Sequence, residues 1–240
     1  MSNTYFRFKQ FTIHQEHCAM KVCTDACLFG AWIAEKVRNM KYDVRTVLDI
    51  GTGTGLLSLL LAQKINARID AVEIDQAAAS QAAENMEASP WKNRLQVICA
   101  DAKTVHLGKH YDLIICNPPF FENDLKSDDE KRNLALHGNA LNFIELLATI
   151  SKHLGGEGLF ALLLPYHRKD QLIALANQSG FFLWEEVSVQ QTPVHAFFRS
   201  MLLFGRKEVS VLVSTIIIRE EEEYTVEFTD LLREYYLKLQ

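Results

Sequence analysis

No stretch of the 240-residue sequence approaches the roughly 18 consecutive apolar residues that would cross a bilayer as a helix, so no membrane partner is expected. The opening Met1-Ser2-Asn3-Thr4-Tyr5-Phe6-Arg7 lacks a basic-then-apolar leader pattern, and the reading is cytoplasmic. Cysteine is scarce and unpaired in pattern: Cys18, Cys23, Cys27, Cys99 and Cys116 make an odd five with no Cys-x-x-Cys, which excludes a disulfide framework. His14, His17, Cys18, Cys23 and Cys27 match no zinc spacing, and Cys23 and Cys27, four apart, suit one face of a helix instead; no metal is expected. The chain also lacks the basic excess of a general nucleic-acid binder, its net charge being −5. That charge is uneven. Residues 1–45 carry seven Lys/Arg against four Asp/Glu, while acid gathers in Glu220-Glu221-Glu222-Glu223. Any nucleic-acid face should be local, and the N-terminal region is its expected place.

What is present is ordinary globular composition, 48% hydrophobic and 23% charged, with no repeat, low-complexity tract or Pro/Gly/Ser-rich linker. Aromatics alternating with polar residues over 5–14 predict one or two short strands. Thr24 and Asp25 can cap a helix running to about residue 36. An α/β alternation follows. Strands are expected over 46–50, 68–74, 95–99, 111–116, 159–164, 181–189, 196–204 and, as a β-rich run, 209–218. Helices are expected over 54–65, 76–88, 141–153, 167–178 and 228–239. Residues 121–139 are polar and long for a connection, either a functional lid or a solvated loop.

The chemistry gathers where the strands end. Asn117-Pro118-Pro119-Phe120-Phe121 follows an apolar run, and two prolines cannot continue a sheet, so the strand stops at Asn117 and a stiff loop follows. Asp49-Ile50-Gly51-Thr52-Gly53-Thr54-Gly55 joins the first core strand to its helix. Its G-x-G-x-G spacing differs from the dinucleotide G-x-G-x-x-G, and an acid ahead of the glycines suits a ligand with an ammonium group better than a pyrophosphate. Glu73, about 20 residues on, can accept from both hydroxyls of a ribose. Asp75 competes with it, or caps the next helix. Asp101 follows the third core strand and can take an adenine amine. Four consecutive strands thus deliver a polar feature to one edge, where open α/β sheets bind ligands.

These motifs, Asp49 to Gly55, Val72-Glu73-Ile74-Asp75, Ala100-Asp101 and Asn117-Pro118-Pro119-Phe120, resemble in order those of the Rossmann-like S-adenosylmethionine-dependent methyltransferases. The Asn-Pro-Pro-[Phe/Tyr] form is similar to the subgroup that methylates planar nitrogens of nucleobases or glutamine amides. Phe8-Lys9-Gln10-Phe11, His14, Cys18-Ala19-Met20-Lys21-Val22, Thr24-Asp25, Leu28-Phe29-Gly30-Ala31-Trp32 and Ser89-Pro90-Trp91 narrow the resemblance to the bacterial tRNA1(Val) (adenine-37-N6)-methyltransferases. The likeness begins at residue 5 and weakens after about 165. Cys23 stands where that family usually has glycine, and Phe120-Phe121 where Tyr-Tyr is commoner.

The resemblance implies a class I fold: a seven-stranded, mostly parallel sheet with helices on both faces, short N-terminal strands and a helix before it, and a C-terminal strand-helix extension. It implies a single domain over 1–240, with a cofactor- and RNA-side extension over 1–45, a catalytic core over 46–207 and an extension over 208–240. It implies S-adenosylmethionine as cofactor, held by Lys21, Asp25, Asp49, Gly51, Gly53, Gly55, Glu73, Asp101 and Asn117, and catalysis by Asn117, Pro118 and Phe120. The substrate would be N6 of adenine-37 in the anticodon loop of a valine tRNA, and the protein a monomer. A protein-glutamine N5-methyltransferase, a dinucleotide-dependent oxidoreductase and a non-catalytic cofactor- and RNA-binding protein remain alternatives at this point. His106, His110, His137 and His153 are assigned no acid/base role.

Overall fold

The computed structural model describes residues 3–18, 20–40, 42–118 and 142–239. A short hairpin, β1 (Tyr5–Arg7) and β2 (Thr12–His14), precedes helix α1 (Thr24–Arg38). The alternation then runs β3 (Thr46–Ile50), α2 (Leu56–Lys64), β4 (Arg68–Glu73), α3 (Gln76–Glu87), β5 (Leu95–Cys99) and β6 (Tyr111–Cys116). After the Asn-Pro-Pro stretch come α4 (Phe143–His153), β7 (Leu154–Pro165), α5 (Lys169–Gln178), β8 (Phe182–Gln190) and β9 (Phe197–Gly205). The chain closes with β10 (Leu212–Ile217), a small hairpin of β11 (Arg219–Glu220) and β12 (Glu223–Tyr224), and α6 (Val226–Leu232).

One sheet of eight strands has the order β10-β8-β9-β7-β6-β3-β4-β5. Among the described strands of this sheet, β9 alone runs antiparallel to its neighbours. The expectation of seven strands is corrected here. The eighth is β10, which adds to the outer side of β8 from Leu212↔Glu185 to Ile217↔Gln190. Both faces of the sheet are covered, so the strands read as continuous apolar runs. Val47, Leu113, Ile115, Ala161 and Leu163 pack with residues of α1, α2 and α6. Their alternates Leu48, Ile50, Ile114, Cys116, Leu162 and Leu164 pack with α4 and α5. Two adjacent acids on β8 bind a helix on each side. Glu185 takes an ion pair from Lys36 and a bond from Trp32 Nε1 at 3.4 Å, while Glu186 pairs with Lys169 Nζ at 2.7 Å.

Local starts and stops follow side-chain chemistry, with two corrections. Asp75 caps α3 through Ala78 N–H at 2.8 Å, and Asn142 caps α4 in a capping box with Glu145. The cap expected from Thr24 or Asp25 is absent: Cys23 is the N-cap, without a side-chain bond. Asp25 instead points Oδ2 at Arg199 Nε, 2.7 Å away on β9. The closing helix, expected over 228–239, ends at Leu232 because the following residues leave to bind elsewhere. Tyr235 donates its hydroxyl to Leu60 O at 3.1 Å and its carbonyl accepts Lys9 N–H at 2.8 Å, while Phe8 bridges Tyr236. The two ends of the chain are thereby joined.

Helices α1 and α2 approach closely at Gly30, where an added Cβ would lie 2.5 Å from Leu60 Cδ1 and 3.2 Å from Leu57 Cδ2. Leu60 is fully buried and has little room to retreat. Gly30→Ala is expected to lower stability by about 1–3 kcal/mol by overpacking, against the helix-propensity gain of about 1 kcal/mol that an exposed site would show. Urea unfolding checks the sign; a more stable variant would mean the two helices separate freely.

Candidate active site

Strands β6, β3, β4 and β5 lie side by side and parallel, with Cys116 opposite Ile50, Ile50 opposite Val72 and Cys99 opposite Glu73. Asn117, Gly51, Glu73 and Asp101 therefore leave the sheet at one edge. The N–H groups of Gly51 and Thr52 still bond Val72 O, at 2.8 and 3.1 Å, so the glycine loop starts directly from the ladder. Gly51 and Gly53 have φ of 71° and 55°, which side chains with a Cβ rarely adopt, and a Cβ at either would meet no atom of the described residues within 4 Å. Gly55, at φ 82°, is the N-cap of α2.

Glu73 closes β4 and braces the loop: Oε2 accepts Gly53 N–H at 2.9 Å and Oε1 accepts Asp75 N–H at 3.0 Å. A carboxylate has about four acceptor positions, so two remain for a diol. Asp49 lies beneath the loop, wholly buried. Its Oδ2 accepts the hydroxyls of Thr52 and Ser58, each at 2.7 Å, while Oδ1 is buried without a partner. Burial raises its carboxyl from 3.8 to about 6; the two hydroxyls oppose that shift and the charge of Glu73 adds to it. Asp101 starts the turn after β5, accepting Lys103 N–H at 2.9 Å.

Asn117 is half-buried, and its Oδ1 is buried and unpartnered. A buried acceptor without a donor is costly unless something else fills the place. Pro118 beside it is buried. Phe120 lies outside the described residues, as do residues 121–139.

The N-terminal candidates sit on a built frame. Gln15 accepts Val22 N–H at 2.8 Å and donates to Asn3 O at 2.9 Å, shaping the segment that carries Lys21. Lys21 is exposed, its Nζ 3.4 Å from Asn3 O. Asp25 is held by Arg199. Cys23 has φ −127°, an extended backbone open to any residue, so cysteine in place of glycine carries no strain there.

Sequence reasoning passed over three residues of this region. Asn85 on α3, buried, donates Nδ2 to His14 O at 2.8 Å and Thr54 O at 2.9 Å and accepts His14 N–H at 2.8 Å, tying the N-terminal hairpin to the glycine loop. Arg199 on β9 holds Asp25 of α1, and Gln15 shapes the segment that carries Lys21. None belongs to a local motif; only a polar residue on an otherwise alanine-rich helix face hints at Asn85.

The residues present suit S-adenosylmethionine. Glu73 keeps acceptor positions beyond its two amide partners, and Asp49 Oδ1 and Asn117 Oδ1 at the same sheet edge are buried without hydrogen-bond partners, acceptors of the kind that a ligand with a ribose, an ammonium and an amine requires. Residues 32–141 match the family described as "Methyltransferase small domain". The chain is 41% identical, over 98% of its own length and 98% of the other, to a protein of Dyadobacter fermentans named tRNA1(Val) (adenine(37)-N6)-methyltransferase. Its fold matches a predicted O-methyltransferase of Agrobacterium tumefaciens with a TM-score of 0.63 at 18% identity, covering 88% of this chain and 96% of that one. It also matches a T. thermophilus 16S rRNA N2 G1207 methyltransferase solved with AdoMet and guanosine, with a TM-score of 0.60 at 21% identity, over 85% of this chain and 50% of that one.

Proposed function

Because the chain belongs to the tRNA1(Val) (adenine(37)-N6)-methyltransferase family, we propose that it transfers the methyl group of S-adenosylmethionine to N6 of adenine-37 in the anticodon loop of a valine tRNA, as a cytoplasmic monomer. The observation that carries this reading is the buried, unpartnered Asn117 Oδ1 at the end of β6, beside the glycine loop.

When bound, S-adenosylmethionine supplies an electrophilic methyl on a cationic sulfur. The chain's residues then position and activate the amine. N6 of adenine is a weak nucleophile because its lone pair is delocalised into the ring. Asn117 Oδ1 and the Pro118 carbonyl accept its two hydrogens, which favours a pyramidal nitrogen with its lone pair aimed at the methyl. Proline fixes the direction of that carbonyl at little entropic cost. Phe120 stacks on the base. The surplus proton leaves N6 after transfer, so no strong base precedes attack. Glu73 holds the ribose hydroxyls, Asp101 the adenine amine of the cofactor, and Asp49, Lys21 and Asp25 with the glycines its methionine end. An unpaired loop base costs less to splay into a pocket than a duplex base.

Asp49 gives this reading a pH signature. Above about 6 its carboxyl is ionised and attracts the ligand's positive charge; below, it is neutral. Cofactor affinity is therefore expected to fall as pH drops through 6, and Asp49→Asn to flatten that dependence. The ligand-free protein should show the opposite trend in stability. A folded pKa raised from 3.8 to about 6 means the fold retains the proton that the unfolded chain releases, so this contribution to stability is lost as pH rises between those values. Calorimetric titration and melting across pH 4–8 check both; a pH-independent affinity would remove Asp49 from the cofactor site. The reaction itself is tested on an unmodified valine tRNA transcript and its adenine-37→guanine counterpart. Methylation of the first alone is expected, and equal methylation of both would place the target elsewhere.

A further inference from the structure

A net charge of −5 leaves the grip on RNA to a local surface. A cavity of about 850 Å³ lies between the N-terminal hairpin and the C-terminal segment, lined by Phe6 and Arg7 of β1, Thr24 of α1, Arg219, Glu222, Glu223 and Tyr224 of the small hairpin, and Tyr236 and Lys238 beyond α6. Its position follows from topology. β10 runs parallel to β8, and antiparallel β9 makes β8 parallel to β7, so Arg219, two residues past β10, emerges at the same carboxyl edge as Asn117. Thr24 opens α1 one residue before Asp25.

The wall chemistry is that of a single-stranded nucleotide site. Phe6 and Tyr236 set their rings 5.7 Å apart as an apolar side, and Tyr224 adds a third ring. The Arg219 guanidinium lies over Tyr224, 4.2 Å from its centroid, and donates to Glu222 O at 2.9 Å, so that cation is held in place. Arg7 and Lys238 differ. Both are exposed, and neither side chain makes an ion pair or hydrogen bond among the described residues. Two unspent cations in an acidic protein, beside three aromatic rings, leave phosphate as their natural partner and bases as the rings'. Glu222 and Glu223 oppose this only in part, being outnumbered by Arg7, Arg219 and Lys238 around the same cavity.

We propose that this pocket is an RNA-docking site that takes a nucleotide of the tRNA outside the reacting adenosine, with Arg7 and Lys238 on phosphates and the aromatic wall against a base. It deepens the tRNA reading above and rests on it. The N-terminal hairpin and the C-terminal segment then act together as one substrate-binding unit.

The test is equilibrium binding of an unmodified valine tRNA transcript, followed by fluorescence anisotropy between about 50 and 200 mM salt. For Arg7→Ala/Lys238→Ala the affinity at low salt is expected to fall about tenfold, and the slope of log K against log salt to shrink by about 1.5. S-adenosylmethionine affinity and the melting temperature should not change. Arg7→Lys/Lys238→Arg should restore the slope, since phosphate reads charge. An alanine pair that binds tRNA like the wild type, with the same slope, overturns the proposal. So does a charge-conserving pair as weak as the alanine pair, which would point to local packing. If the wild type binds tRNA but transfers no methyl to it, the catalytic reading fails while the binding slopes still decide the pocket.

Discussion

Replacing Asn117 by alanine is expected to lower the rate of methyl transfer by about 100- to 1,000-fold, the scale seen when one preorganised polar group is removed from a transition state. S-adenosylmethionine should bind the variant within about threefold of the wild type. The split follows from what the side chain does. Its Oδ1 is buried at the end of β6 without a hydrogen-bond partner among the described residues. An acceptor in that state costs stability and is kept for a donor that arrives with substrate. Single-turnover transfer and calorimetry, measured together, check this. If cofactor affinity and rate fell by the same factor, Asn117 would belong to the cofactor pocket's architecture.

Glu73→Ala should give the reverse pattern. Cofactor dissociation should strengthen by about 10- to 100-fold, from losing charge-assisted bonds worth about 1.5–3 kcal/mol, with transfer at saturating cofactor changed by less than about threefold. Part of the loss is indirect, because Gly53 N–H and Asp75 N–H lose their acceptor and the glycine loop its brace. Glu73→Gln keeps one carbonyl oxygen for those amides and should fall between. A calorimetric constant unchanged in Glu73→Ala would take the ribose role away from this residue.

The sheet edge that gathers the candidate residues was legible in the sequence because its parts are local. A prolyl pair stops a strand, glycines turn the chain, and an acid closes the next strand; each acts within a few residues, and parallel order then stacks the ends at one edge. What escaped was built from distant partners. Arg199 and Asp25 are 174 positions apart, and Asn85 and His14 are 71 apart, so no window of sequence holds either pair. The same cause explains the misplaced cap: Asp25 is a good capping residue by composition, and a cation on β9 claims it. The eighth strand was visible as a β-rich run over 209–218, but its pairing with β8 depends on an exposed sheet edge, which composition does not announce. The final helix was drawn too long because Tyr235 and Tyr236 continue an apolar pattern while their contacts, with Leu60 and Phe8, require the chain to turn.

The cysteine substitution at position 23 shows the opposite case. From sequence, a residue in place of glycine suggests lost backbone freedom. The observed φ of −127° shows that no such freedom is needed there. The acidic run Glu220 to Glu223, far along the chain from the N-terminal cations, forms part of the small hairpin that borders the cavity with Arg7 and Lys238.

The central claim is tested most directly by methyl transfer from labelled S-adenosylmethionine to total tRNA from a strain lacking the activity, followed by nucleoside digestion and mass spectrometry. The account predicts N6-methyladenosine in a valine tRNA, at position 37, and in no other species. Label in a protein fraction with none in RNA would contradict it and assign the Asn117 site to a glutamine amide.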